Sequence, residues 1–156
     1  MSKDSKGNIW IASQDAIYQM SYESKPTLLK QYSKKSIPLH EDPIIKISAN
    51  AHDVWFSTSL GRLLRLNPSE GKITDETESC GLTGDNILEI IRYGDKIWIV
   101  CDKYIICHHL ATKENIAYFV NDANIIVSSF RHSAAFADKE GCLYAGGHNG
   151  FIKILP

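Results

Sequence analysis

The chain has 156 residues, 44% hydrophobic and 22% charged, which is enough for one folded domain with its own core. A net charge of −1 gives no electrostatic reason to expect nucleic acid or an anionic membrane surface as a partner. No apolar run approaches the roughly 18 residues of a membrane span, and MSKDSKGN puts no apolar stretch behind its lysines, so no export signal is read there and the chain, taken as complete, would stay in the cytoplasm.

The first element follows DSKGNIWIAS (4–13), an Asp-x-x-Gly turn feeding an apolar run centred on Trp10. Asp at the head of such a turn accepts backbone hydrogen bonds, and Gly at its end takes a positive φ. Strands are predicted next at IYQM (17–20) and TLLKQY (27–32). Counting back eight residues from Trp10 reaches Ser2, so the first repeat has no room for a strand ahead of its turn. His40, Glu41 and Asp42 read as a solvated turn between units rather than a ligand set.

A second repeat opens with IIKIS around Ile47, turns at Asn50 to Asp53, and runs through DVWFST around Trp55. RLLRL (62–66) and KITDET (72–77) complete it. The stretch 84–93, GDNILEIIRY, could form one turn of amphipathic helix, but its β-branched content and its register with 44–49 make it a strand. After a turn at Tyr93 to Asp95 come KIWIVC around Trp98, YIICHH (104–109) and NIAYFV (115–120). NDANIIVSSF (121–130) reads as an insertion or an extended connection. The last repeat has SAAFA around Phe136, a turn from Asp138 to Gly141, CLYAGG around Tyr144 and GFIKI (150–154).

Trp10, Trp55, Trp98 and Tyr144 are thus spaced by 45, 43 and 46 residues. A period in the forties marks an array of supersecondary units. Counted along the chain, the units hold three, four, four and three strands, or 14 in all. Flanking pairs such as Ile9 and Ile11, Val54 and Phe56, or Ile97 and Ile99 make the runs apolar on both faces. A sandwich strand would alternate, whereas strands covered on both faces do not. The expected fold is all-β, a partial β-propeller of four-stranded antiparallel blades at about 1–35, 43–78, 85–120 and 131–156. Such a set closes no ring by itself. It is expected to be a piece of a longer propeller, or to complete a ring by self-association, with two copies supplying eight sheets.

DSKGNIWIAS followed by AIYQM (16–20) resembles the two-component-regulator propeller repeat, a D-x-x-G-N-[IL]-W-[IV]-G-T core followed by G-[IL]-x-x-[FY]. CGLTGDNILEII (80–91) resembles the segment between its blades, and DKEGCLYAGGHNGFIKILP (138–156) its closing blade. The middle copies depart from it in lacking the Asp-x-x-Gly turn. The resemblance implies the periplasmic sensor region of a hybrid two-component system, carbohydrate sensing and dimeric signalling. It also implies a membrane helix and a histidine kinase that this sequence does not contain.

The cysteines at 80, 101, 107 and 142 form no C-x-x-C pair and read as small buried thiols, with a Cys101–Cys107 disulfide across their hairpin as the alternative. His108 and His109 are adjacent on a strand, so they point to opposite faces and do not share a metal. GGHNG (146–150) is a turn rather than a dinucleotide loop, and no catalytic triad, nucleophile elbow or phosphate loop is present. The tryptophans, mid-strand in apolar runs, read as core rather than sugar platforms. No cofactor, metal or catalytic residue is expected. A ligand site is expected on one rim, where the loops between second and third strands contribute Gln14, Asp15, Ser59, Arg62, Asp102, Lys103, His148 and Asn149. Of these, five are singled out as ligand-binding candidates, Arg62, Asp102, Lys103, His148 and Asn149, and Arg62, Lys103 and His148 suit an anionic sugar. The chain therefore reads as a non-catalytic sensor propeller binding an oligosaccharide, or as a protein-interaction or self-assembly module without a small ligand.

Overall fold

Each Asp-x-x-Gly turn closes a hairpin. The computed structural model describes residues 1–14, 16–22, 24–33, 42–120, 122 and 125–155, so Asp15, His40 and Glu41 lie outside the described residues. Four sheets follow one another, each made of strands consecutive in the chain and antiparallel to their neighbours. The first comprises β1 (Ser2–Lys3), β2 (Ile9–Ala12), β3 (Ala16–Tyr22) and β4 (Pro26–Ser33). The second comprises β5 (Ile44–Ala49), β6 (Val54–Thr58), β7 (Leu63–Asn67) and β8 (Lys72–Asp75). The third comprises β9 (Ile87–Tyr93), β10 (Lys96–Cys101), β11 (Tyr104–His109) and β12 (Asn115–Phe119). The fourth has three strands, β13 (Phe130–Ala137), β14 (Leu143–Gly147) and β15 (Gly150–Ile154). No helix occurs among the described residues, and 84–93 contributes a strand, as its β-branched content required.

The strand count corrects the sequence reading at one point. The first sheet has four strands, not three, because Ser2 pairs opposite Trp10. Two residues suffice there. The Asp4 turn fixes the chain reversal, and the Ser2 hydroxyl accepts a 3.0 Å hydrogen bond from the Ala49 N–H of the next sheet.

The chain divides into two compact units, Met1–Thr77 and Glu78–Pro156, each holding two sheets. Within each unit the two sheets are joined in the same way. In the first, Trp10 and Ile17, with Tyr32 of β4 alongside, pack on Val54, Phe56, Leu64 and Leu66 of the second sheet. In the second, Trp98, Val100 and Ile105 pack on Leu143, Ala145, Ile152 and Ile154. The tryptophan face of one sheet thus meets the opposite face of the next, the one that does not carry that sheet's repeat aromatic. Burial of each such aliphatic side chain contributes roughly 1.5–3 kcal/mol. β10 is buried from Ile97 to Cys101, as its unbroken apolar run requires, and β6 is buried along its whole length, including the polar Ser57 and Thr58. The end sheets are different. Ile11 on the outer face of the first is 38% exposed, and Phe136 on the outer face of the last is 59% exposed.

The repeat motif has a second physical role beyond its turn. The Trp10 indole N–H donates to Asp4 Oδ2 at 2.9 Å. Turns two and three carry no Asp at the corresponding place, and the buried indole N–H groups of Trp55 and Trp98 have no partner. Trp10 and Trp98 otherwise match, each lying against a fourth-strand tyrosine, Tyr32 and Tyr118, with ring centroids 6.1 and 6.2 Å apart. Trp10→Phe should therefore cost about 1–2 kcal/mol more than Trp98→Phe in denaturant unfolding, because only the first strips a donor from a buried carboxylate. Equal costs would show that the indole bond adds nothing beyond packing.

Candidate functional site

In the second unit the β10–β11 turn carries Asp102 and Lys103, and the β14–β15 turn carries His148 and Asn149. Both turns bond to the same irregular segment, 128–130. The Phe130 N–H donates to the Asp102 carbonyl at 3.0 Å, and Lys103 Nζ donates to the Ser128 carbonyl at 3.0 Å. The His148 N–H donates to the Ser129 carbonyl at 2.8 Å, and its carbonyl accepts from the Ser128 N–H at 3.2 Å. Asn149 adopts a left-handed φ of 74°, which its short polar side chain tolerates in a two-residue hairpin. Gly147 at the turn base lets the segment approach. A Cβ there would lie 2.2 Å from the Ser129 carbonyl oxygen. Four of the five rim residues singled out from sequence, Asp102, Lys103, His148 and Asn149, therefore share one neighbourhood.

That neighbourhood holds one residue the sequence reading missed. Arg131 Nη2 lies 3.5 Å from His148 Nδ1. It sits just past a stretch read as a connection, where no periodicity points to a rim. Beside Lys103 a cleft of about 440 Å3 is lined by Phe119, Val120, Ile125, Ile126, Val127 and Ser128. Phe119 packs against Tyr104, with centroids 5.6 Å apart, and is half exposed. An ammonium, carbonyl acceptors and an exposed aromatic ring together suit a hydroxylated ring that also carries an anionic group.

The fifth residue, Arg62, belongs to the first unit. It donates to Asp75 Oδ2 through Nε at 3.1 Å and Nη2 at 2.7 Å. Burial would raise the Asp75 carboxyl, but hydrogen bonds from Thr77 and Arg62 and the Arg62 charge hold it below the usual range. Ser59 is also engaged, its hydroxyl donating to the buried Asp42 at 2.9 Å. At the other end of these strands a second cleft, of about 340 Å3, is lined by turn and strand residues including Lys6, Asn8, Gln19, His52 and Ser69, with Asp4 and Trp10 also in its wall. Nothing in the repeat grammar singled it out, since the turn was read only as a chain reversal.

Other titratable groups are held within the strands. His108 is buried, with Nδ1 2.7 Å from Asn115 Oδ1, while the neighbouring His109 is only half-buried. All four cysteines are free and buried, so the disulfide alternative does not hold. Burial pushes the Cys101 thiol up to about 12, which leaves it protonated and unreactive at neutral pH. Burial also raises the Tyr104 hydroxyl, helped by its hydrogen bond to Asp85. No nucleophile among the described residues is held against a base in the manner of a triad.

No family model matches the sequence, and no curated protein does. Solved structures match over nearly the whole chain. The extracellular domain of the hybrid two component system BT4673 from B. thetaiotaomicron is 18% identical, with a TM-score of 0.65 over 98% of this chain and 20% of that one. The extracellular domain of the hybrid two component system BT3049 from the same organism is 17% identical, with a TM-score of 0.56 over 99% of this chain and 27% of that one. BamB from Moraxella catarrhalis is 16% identical, with a TM-score of 0.61 over 97% of this chain and 44% of that one. The chain spans less than half the length of each. At these identities the likeness concerns the fold, which is the expected all-β partial propeller of four-stranded antiparallel blades. The proteins whose repeat the sequence resembles and two of these structural neighbours are both two-component systems.

Proposed function

We propose that the chain is a non-catalytic sensor module from the extracytoplasmic, periplasmic part of a two-component regulatory system, and that its ligand is an oligosaccharide bearing an anionic group. Likeness along the full chain to extracellular domains of two hybrid two component systems supports the sensor reading. The cleft beside Lys103 supports the ligand class, and the turns that carry Asp102, His148 and Asn149 bond to the segment that includes its Ser128 wall. Lys103 supplies positive charge and Phe119 a stacking face, while Arg131 stands beside His148. Arg62, in the other unit, is the remaining member of the proposed rim set.

Thermal unfolding with a panel of neutral and uronate-containing oligosaccharides tests this reading. An acidic member at a hundred times its Kd should stabilise the chain by about 2.7 kcal/mol. Lys103→Ala should weaken that ligand about tenfold by removing one charge-assisted hydrogen bond. A panel in which nothing shifts the melting temperature would remove the glycan reading. The alternative reading, a module for protein contact or self-assembly, is favoured by the exposed apolar faces of the two end sheets.

A further inference from the structure

The first strands of the second, third and fourth sheets begin alike. Ile44, Ile87 and Phe130 are spaced by 43 residues in each case, and they pair with Thr58, Cys101 and Gly147 on the neighbouring strand. Each first strand then bulges. Between Ile44 and Lys46 in β5, and between Ile87 and Glu89 in β9, it holds one residue more than its partner. Between Phe130 and Ala135 in β13 it holds three more, since five steps along β13 match the two from Gly147 to Ala145.

A bulge re-aims side chains, and bulges gather beside functional sites. The enlarged one in β13 adds nothing to the core. Leu88, the bulged residue of β9, is buried in the core of the second unit, whereas Arg131, His132, Ser133 and Ala134 are all exposed. It also holds Ser133 in the left-handed region, at a φ of 55°, which a residue with a Cβ adopts only at a cost. What it supplies is a direction: Arg131 Nη2 comes to 3.5 Å from His148 Nδ1 on the β14–β15 turn.

With Nδ1 facing the guanidinium as acceptor, Nε2 carries the ring proton of a neutral His148. The remaining Arg131 N–H groups and His148 Nε2–H then form a set of donors, and neither residue has a carboxylate partner among the described residues. A planar fork of N–H groups with one further donor beside it is suited to an oxyanion. Lys103 is a different donor, on the third sheet, bonded to the Ser128 carbonyl and opening on the cleft beside Phe119. Arg131 and His148 are not in the wall of that cleft, so an anion held there at Lys103 leaves them unfilled.

Resting on the reading of this rim as an anionic-oligosaccharide site, we infer that the ligand carries two acidic groups, one held by Lys103 in the cleft and the second by Arg131 and His148. The enlarged β13 bulge is the specificity element that separates such ligands from those with a single acidic group.

Calorimetric titration of the full chain tests this with two oligosaccharides of equal length, one holding two uronate units and the other one, the remaining units neutral. The wild type should bind the two-uronate ligand about tenfold more tightly, the gain of a second charge-assisted contact. Arg131→Gln removes the charge from an exposed side chain, so the fold should persist, checked by circular dichroism. It should bind the two ligands alike, whereas Lys103→Ala should weaken both. Equal affinities in the wild type, or a preference that survives in Arg131→Gln, would overturn the inference and leave the anionic-oligosaccharide reading standing. Binding of neither ligand would overturn both.

Discussion

Asp4→Ala is expected to lower the stability of the chain by about 3 kcal/mol, the cost of leaving buried donors without a charged acceptor. Asp4 Oδ1 accepts the N–H groups of Lys6 and Asn8 at 2.9 and 2.8 Å. Oδ2 accepts Asn8 Nδ2 at 3.0 Å and the Trp10 indole at 2.9 Å. One side chain therefore caps the turn, closes the β1–β2 hairpin and anchors the central aromatic. Asp4→Asn keeps one acceptor oxygen but turns an N–H toward other donors, so it should recover only part of the loss. In a Trp10→Phe background Asp4→Ala should cost less, and the difference isolates the indole bond.

The same carboxylate sets a pH signature. Burial would raise its pKa, but the hydrogen bonds from Trp10, Asn8 and Lys6 outweigh burial and hold it below the usual value. Asp138 repeats the arrangement, accepting the N–H groups of Glu140 and Cys142 at 2.9 Å each, and its carboxyl is likewise lowered. A carboxyl whose pKa is lower folded than unfolded stabilises fully above its unfolded value of about 3.9. That stabilisation is lost as pH falls through the lowered folded value. The stability gap between wild type and Asp4→Ala should therefore be widest at neutral pH and shrink below about pH 4. A gap that stays constant from neutral pH down to pH 2 would mean that Asp4 acts without its charge.

The sequence made the sheets readable because each is local. Consecutive strands joined by tight turns, with a β-branched and aromatic run in each, need no long-range information to be placed. β1 escaped because two residues carry no alternation, and what makes them a strand is the Asp4 turn on one side and Ala49 on the other. The inner strands of the second and third sheets were legible from apolar runs such as Val54–Phe56 and Ile97–Val100, which carry no polar position and are buried. Their end-sheet counterparts look alike in sequence, since Ile9 and Ile11 read like Ile97 and Ile99, yet Ile97 and Ile99 are buried and Ile11 is exposed. Of the candidate site, Asp102, Lys103, His148 and Asn149 were legible because hairpin turns locate themselves. Segment 128–130, which ties those turns together, was not. It works through main-chain carbonyls, which every residue has, and Arg131 gained its place only from that backbone path.

Gly147→Ala is expected to cost about 3 kcal/mol, at the upper end of overpacking effects, although the added group is a single methyl. The φ of Gly147 is not positive, so backbone strain is not the cause. The Cβ would sit 2.2 Å from the Ser129 carbonyl oxygen and 2.3 Å from Val127 Cγ1, and neither can yield freely. The Ser129 carbonyl accepts the His148 N–H, and Val127 and Phe130 are buried in the core of the second unit. The segment must move away from β14, and with it go the Ser128 carbonyl that holds Lys103 and the Ser129 carbonyl that holds the His148 turn. The variant should therefore lose stability and disturb the rim together, seen as amide shift changes at 102–103, 127–130 and 148–149 in NMR spectra. Gly146→Ala is the control on the neighbouring residue. Its Cβ would lie 3.3 Å from the Ala134 carbonyl oxygen, a contact a small shift relieves. If both variants are equally mild, the close approach of 128–130 to β14 is not what sets the rim geometry.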